Sequence, residues 1–143
     1  MPSMNGSFAG KITKQTAFPL TDQPNHEMSL AEVAGTQKAS DPLWDGNSIT
    51  YWGVTDLLDG QGTQRGYYTN VHGDKGRDWG TFEGKVSLLG GMPSVEGTWK
   101  INGGSGDFKG ISGGGTFKTK MTSPTELECS WEGAYELAMA QAG

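Results

Sequence analysis

The sequence contains little cysteine, little positive charge and no long hydrophobic run. Its single cysteine, Cys129, excludes an internal disulfide and a zinc site built from cysteines. The 11 lysines and arginines are scattered and are outnumbered by 16 aspartates and glutamates, which argues against binding to nucleic acid or to an anionic membrane surface. No apolar stretch approaches the length of a membrane span and no secretory signal is visible, so we expect a cytoplasmic protein.

Glycine and aromatic residues are abundant. The chain has 143 residues, of which 24 are glycine, five tryptophan, four tyrosine and five phenylalanine. The aromatic content argues against disorder, and the glycines lack the regular period of collagen. We therefore expect one domain over residues 1–143, with a core over about residues 6–137, of the all-β barrel or sandwich class.

Short runs of alternating apolar and polar residues recur about every ten residues, which is typical of an all-β protein. Residues 27–37 fit a helix or a strand, and we interpret them as a strand because nearly everything around them is β. With no long helix between the runs, we predict an antiparallel up-and-down β-barrel of about eight strands, whose interior is filled by side chains or holds one small ligand. The predicted strands are 6–15, 27–37, 48–58, 64–72, 79–89, 95–102, 115–120 and 125–137.

The densest glycine region lies between residues 97 and 117. We predict a turn at residues 103–106, a short strand or 3₁₀ segment at 108–111, and a second glycine cluster at 113–115. A phosphate-binding loop is disfavoured, because no GK[ST] ending and no helix pattern follow the glycines. The glycines are therefore expected to shape the barrel rather than to bind a ligand.

The same region carries a family resemblance. Residues 104–115, GSGDFKGISGGG, fit the pattern G-S-G-x-[LF]-x-G-[IL]-x-G-x-G. In this the chain resembles the allene oxide cyclase barrel group, nearest to its bacterial short-barrel proteins of unassigned function and more distantly the dirigent proteins. The resemblance implies a calycin-type eight-stranded barrel and often a homo-oligomer, a dimer or trimer. No catalytic residue of the plant cyclase can be placed on this sequence.

Residues 64–72 offer a candidate site. Tyr68, Asn70 and His72 share one face of the predicted strand and would project three hydrogen-bonding groups into one cavity. The alternative is that this face meets solvent and that Tyr67, Thr69 and Val71 point inward. We favour that alternative, because valine is buried more often than histidine.

A carboxylate and several tryptophans complete the candidates. Glu32 shares a face with Met28 and Leu30, where apolar neighbours would raise its pKa and suit it to acid or base chemistry; the alternative, which we favour, is a salt bridge or a surface position. Trp52, Trp99 and Trp131 are the expected walls of an apolar pocket. Cys129 is expected to be buried and inert.

Two hypotheses for the function follow. The first is a small-molecule-binding barrel that also acts as a cofactor-free cyclase or isomerase on an apolar substrate, with His72, Glu32 and Tyr68 as acid or base. The second is a non-catalytic ligand-binding or assembly barrel. A solid barrel would favour the second, and a cavity with convergent titratable groups would favour the first. Neither a metal nor a cofactor is expected.

Overall fold

The computed structural model describes residues 3–137, which form eight antiparallel strands and the loops that join them. Each strand pairs with the next, and β8 pairs with β1 to close a barrel, so the predicted all-β barrel class is confirmed. Within these residues no helix is long and apolar enough to cross a membrane. The strands are β1 (Ser3–Pro19), β2 (His26–Ala39), β3 (Ser48–Leu58), β4 (Gln61–Val71), β5 (Gly76–Leu89), β6 (Met92–Gly106), β7 (Ser112–Ser123) and β8 (Glu126–Glu136).

The glycine region differs from the prediction. Gly103 and Gly104 continue β6 and pair with β5, and the chain turns only afterwards, over residues 107–110. The predicted turn at 103–106 is therefore wrong, as is the strand or 3₁₀ segment at 108–111. A Cβ on Gly104 would collide with the backbone carbonyl oxygen of Phe108 in the turn and would lie 2.9 Å from the Ile111 side chain. Glycine is needed there because the turn folds back onto the strand that precedes it.

Inward-facing glycines make room for large aromatic side chains. Tyr68 lies directly across from Gly80 on the neighbouring strand, and a Cβ added to Gly80 would lie 2.7 Å from the Tyr68 hydroxyl oxygen. A Cβ on Gly133 would lie 2.6 Å from the Trp99 ring. This alternation of small and large residues fills a narrow barrel without steric conflict.

One end of the barrel is closed by the loop between β2 and β3. Trp44 in this loop is 2% exposed and packs against the rings of His72, Phe108 and Tyr135. The Tyr135 hydroxyl donates a hydrogen bond of 2.7 Å to Asp41 of the same loop. We call this the capped end, because the loop folds inward over the barrel interior.

His26 links two segments at the end of the barrel opposite the capped end. His26 Nδ1 lies 2.8 Å from Asp22 in the loop between β1 and β2, and Nε2 lies 2.7 Å from Asp56 near the end of β3. The Asp22 and Asp56 carboxylates both raise the pKa of His26. Through these two contacts the ring joins the loop between β1 and β2 to β3 of the barrel wall.

Candidate functional site

The barrel interior contains a cavity of about 70 Å³. Its walls are largely aromatic, and none of the described residues that line it carries a charged side chain. The polar groups on its surface come from a few amides, hydroxyls and one thiol. The main apolar lining residues are Phe8, Tyr51, Phe82, Trp99, Phe117 and Trp131.

Tyr68 is one of the residues that line the cavity, and its hydroxyl is buried without a partner. The residue is 6% exposed, and its hydroxyl is the one buried side-chain polar atom with no hydrogen-bond partner among residues 3–137. Burial raises the pKa of Tyr68 well above its ordinary value, and the negative charge of Asp78 raises it further. The hydroxyl therefore stays protonated.

A chain of buried polar side chains crosses the barrel beside the cavity. The Asn70 amide nitrogen lies 3.4 Å from Asp78 Oδ2, Gln37 Nε2 donates to Asn70 Oδ1 at 3.1 Å, and Trp131 Nε1 donates to Gln37 Oε1 at 2.9 Å. Because these groups hydrogen-bond to one another, their burial is compensated and their orientations are fixed.

His72 lies behind this chain and does not line the cavity. Its Nε2 is 2.5 Å from Asp78 Oδ1, and its Nδ1 is 2.7 Å from the side-chain nitrogen of Asn47. Nδ1 also lies 2.9 Å from the Leu43 carbonyl oxygen, so each ring nitrogen has a partner. The ring also stacks on Phe108 with 3.8 Å between centroids. In this position His72 orients Asp78 and the capped end, and it cannot reach a ligand in the cavity.

The inward face of β4 is the polar one, so the alternative favoured from the sequence is wrong. Tyr68, Asn70 and His72 are at most 6% exposed, whereas Tyr67 is 65% exposed on the outer surface. Asn70 and His72 form hydrogen bonds with residues of other strands and of the loop between β2 and β3. These bonds compensate the desolvation cost of burying the two polar side chains.

Glu32 and Trp52 lie on the outer wall, away from the cavity. Thr13 Oγ1 donates to Glu32 Oε1 at 2.7 Å, and Trp52 Nε1 donates to Oε2 at 2.8 Å. These two bonds, the Thr13 bond first, lower the pKa of Glu32, so the expectation of a raised pKa is wrong. The preferred alternative, a surface position, matches the placement of Glu32.

Trp99, Trp131 and Cys129 all line the cavity, as the alternation of their strands predicts. Trp99 Nε1 donates to the Thr116 carbonyl at 3.1 Å, which fixes the indole. Burial raises the pKa of Cys129 to about 11, so the group is a neutral thiol with low reactivity. Whether the two tryptophans bind a ligand stays a prediction.

Three important residues were missed by the sequence analysis. Gln37 shares the face of Val33 on β2, so alternation alone could have placed it inside. Asp78 falls between the predicted strands 64–72 and 79–89, but it lies in β5 with 0% exposure. Trp44 falls between the predicted strands 27–37 and 48–58, and no local signal shows that this loop folds inward.

Among the described residues, no group of three histidine, cysteine, aspartate or glutamate side chains is placed to hold a metal ion. No protein-family model matches the chain, and no curated protein matches it.

Proposed function

We propose that this protein binds one small, mostly apolar molecule inside its barrel. The observation that supports this most directly is the cavity itself, whose walls are mainly aromatic and include no charged side chain among the described residues. Sites for small molecules are typically concave and mostly apolar, with a few polar groups that orient the ligand. The side-chain amides of Gln37, Gln64 and Asn70 are the polar groups of this kind among the residues that line the cavity.

The size of the cavity limits the ligand. Benzene, with six non-hydrogen atoms, binds in a cavity of about 150 Å³, so a cavity of about 70 Å³ holds on the order of three non-hydrogen atoms. Pockets for drug-sized molecules are several times larger, roughly 300–1,000 Å³. The proposed ligand is therefore smaller than a typical cofactor or lipid.

A catalytic version of this proposal is that the protein belongs to the allene oxide cyclase-like barrels and catalyses a cofactor-free cyclisation or isomerisation of the bound molecule. The family resemblance is the support for it. No carboxylate or histidine among the described residues lines the cavity, and the buried Tyr68 hydroxyl exposes almost no surface to it. The non-catalytic binding protein therefore remains the simpler proposal.

Binding can be tested with native mass spectrometry and ligand-observed NMR on the whole protein. Cys129→Met would place extra atoms in the cavity, and Glu32→Gln changes only the outer wall. We expect the unaltered protein and Glu32→Gln to bind neutral molecules of two to four non-hydrogen atoms equally, and Cys129→Met to bind them at least tenfold more weakly. Equal binding by all three proteins, or no binding by any, would refute the proposal.

We also propose that the protein forms a homo-oligomer through the outer wall of β1–β4. Phe18, Leu30 and Tyr67 lie there and are 62%, 52% and 65% exposed. Phe18 lies opposite Met28, and Leu30 lies opposite Thr16. Tyr67 lies opposite Trp52, so the apolar residues occupy neighbouring positions on one surface. Such exposed apolar patches commonly mark protein interfaces. Native mass spectrometry should show more than one subunit, with fewer in Leu30→Lys, and a monomer at every concentration would exclude the proposal.

A further inference from the structure

We infer that two copies of this chain associate edge to edge, through antiparallel pairing of residues 13–19 of β1 with the same residues of a second copy. This inference rests on the homo-oligomer proposed above, and it specifies how the copies are joined and the symmetry that relates them.

The first strand extends beyond the strand that closes the barrel. The pairing of β1 with β8 ends where Lys11 lies opposite Glu126, and Ile12 N donates to the Thr125 carbonyl at 2.9 Å. The pairing of β1 with β2 continues as far as Pro19. Within residues 3–137, no strand therefore covers the other side of residues 13–19, and every residue of this segment is exposed. We call residues 13–19 the free edge.

The hydrogen bonds of the hairpin formed by β1 and β2 show which backbone groups point outward from the free edge. Leu20 N donates to the His26 carbonyl at 2.8 Å, so these two residues form a hydrogen-bonded pair. In an antiparallel ladder such pairs alternate with pairs whose backbone groups point away from each other. By this alternation, Gln15 and Ala17 direct their N–H and C=O groups away from β2. A strand edge of this kind is a template for pairing with another chain.

The free edge is complementary to itself under two-fold symmetry. If Thr16 faces Thr16 of a second copy across the axis, Gln15 of each copy meets Ala17 of the other. Both residues carry outward backbone groups, so four N–H···O=C bonds form between the two copies. Pro19, which has no N–H, marks the end of the segment that can pair in this way.

Charge and hydrophobicity favour a second copy in this register. Lys14 is the only charged residue of the free edge, and it lies opposite Glu32 on the outer wall. Antiparallel pairing places the two lysines four residues apart, about 14 Å, whereas parallel pairing would place them side by side. The exposed side chains of Phe18, Met28 and Leu30 lie on the outer wall at or beside the free edge, so pairing joins the apolar surfaces of the two copies.

Amide hydrogen exchange of the unaltered protein, followed by NMR over a range of concentrations, tests the pairing directly. The N–H groups of Thr16 and Phe18 point towards β2 and should be protected at every concentration. The N–H groups of Gln15 and Ala17 should exchange at least tenfold more slowly where native mass spectrometry shows the dimer than where it shows the monomer.

Substitution of Ala17 provides a second, independent test. Ala17→Pro removes one outward N–H from each copy and leaves the bonds between β1 and β2 in place. Ala17→Val is the matched control, because it keeps the N–H. Since two of the four bonds are lost, the dissociation constant of the dimer in sedimentation velocity should be at least tenfold higher for Ala17→Pro than for Ala17→Val. Circular dichroism would verify the fold of both variants, and the exchange measurement decides the matter if Ala17→Pro does not fold.

The failures are distinguishable. A protein that is monomeric at every concentration overturns both the homo-oligomer and the edge pairing. If the protein forms an oligomer but the Gln15 and Ala17 amides exchange as fast as in the monomer, the edge pairing is wrong while the contact through the outer wall stands. Equal dissociation constants for the two Ala17 variants lead to the same conclusion. A closed trimer also overturns the edge pairing alone, because it has no two-fold axis.

Discussion

Replacement of Tyr68 by phenylalanine is expected to stabilise the ligand-free protein. In the folded chain the Tyr68 hydroxyl is buried and has no protein partner, whereas in the unfolded chain water satisfies it. Folding therefore costs the desolvation of this group, about 1–3 kcal/mol, with no bond in return. Phenylalanine keeps the ring and its contact with Trp99, and it removes this cost.

A small opposing effect sets the expected size of the change. Removing the oxygen leaves a gap smaller than a methylene group beside Gly80, at a cost of about 0.5–1 kcal/mol. The difference is a gain of about 1 kcal/mol in the free energy of unfolding. For a chain of this length, such a gain raises the melting temperature by about 4 °C.

Urea unfolding followed by tryptophan fluorescence would measure the change, with two other tyrosines as controls. Tyr135→Phe loses the hydrogen bond to Asp41 and should destabilise the protein by about 1–2 kcal/mol. Tyr67→Phe alters an exposed hydroxyl and should change stability by less than about 0.5 kcal/mol. Destabilisation by Tyr68→Phe comparable with that of Tyr135→Phe would show that the Tyr68 hydroxyl is already satisfied in the ligand-free protein, and would refute the reasoning.

Three further predictions concern packing, pH and thiol reactivity. Gly133→Ala should lower the free energy of unfolding by about 1–3 kcal/mol in urea, because the new methyl group meets both the Gly114 backbone carbonyl and the Trp99 ring; unchanged stability would contradict this close packing. The pKa of His26 is raised in the folded protein, so its ion pairs stabilise the fold fully when the pH is below the ordinary histidine pKa of about 6.5. This stabilisation is lost as the pH rises through the pKa that His26 has in the folded protein. The urea midpoint of the unaltered protein should therefore exceed that of His26→Gln most at pH 6 and least at alkaline pH, and a gap that widens with pH would contradict this. Cys129, with its pKa raised to about 11, should react with iodoacetamide at pH 8 far more slowly in the native protein than in urea, as measured by mass spectrometry; equal rates would contradict its burial.

The strands could be predicted from the sequence because their signal is local. Alternating residues such as Leu127, Cys129 and Trp131 identify a strand and a shared face without any knowledge of its neighbours. The same reasoning correctly put Tyr68 and Asn70 on one face. Which of the two faces of β4 points inward depends on partners such as Gln37 and Asp78, and these come from other strands.

The candidate site was less predictable, because it depends on contacts between distant segments. Trp44 enters the barrel from a loop whose sequence shows only turn residues. His72 looked like a catalytic base because it is one of two histidines, yet its partners Asn47 and Asp78 hold it behind the cavity. Hydrophobicity scales count histidine and asparagine as surface residues, and they contain no information on hydrogen bonds formed after folding.

The pairing of the first strand with the last has a consequence for folding during synthesis. Ser3 lies opposite Ala134, and Lys11 lies opposite Glu126, so closure joins segments from opposite ends of the described chain. Contacts of such high sequence separation form slowly, because a long loop must be ordered first. β8 also supplies Cys129 and Trp131 to the cavity wall. A growing chain on the ribosome therefore has no complete cavity until β8 has emerged, and binding of a small molecule would report that the barrel has closed.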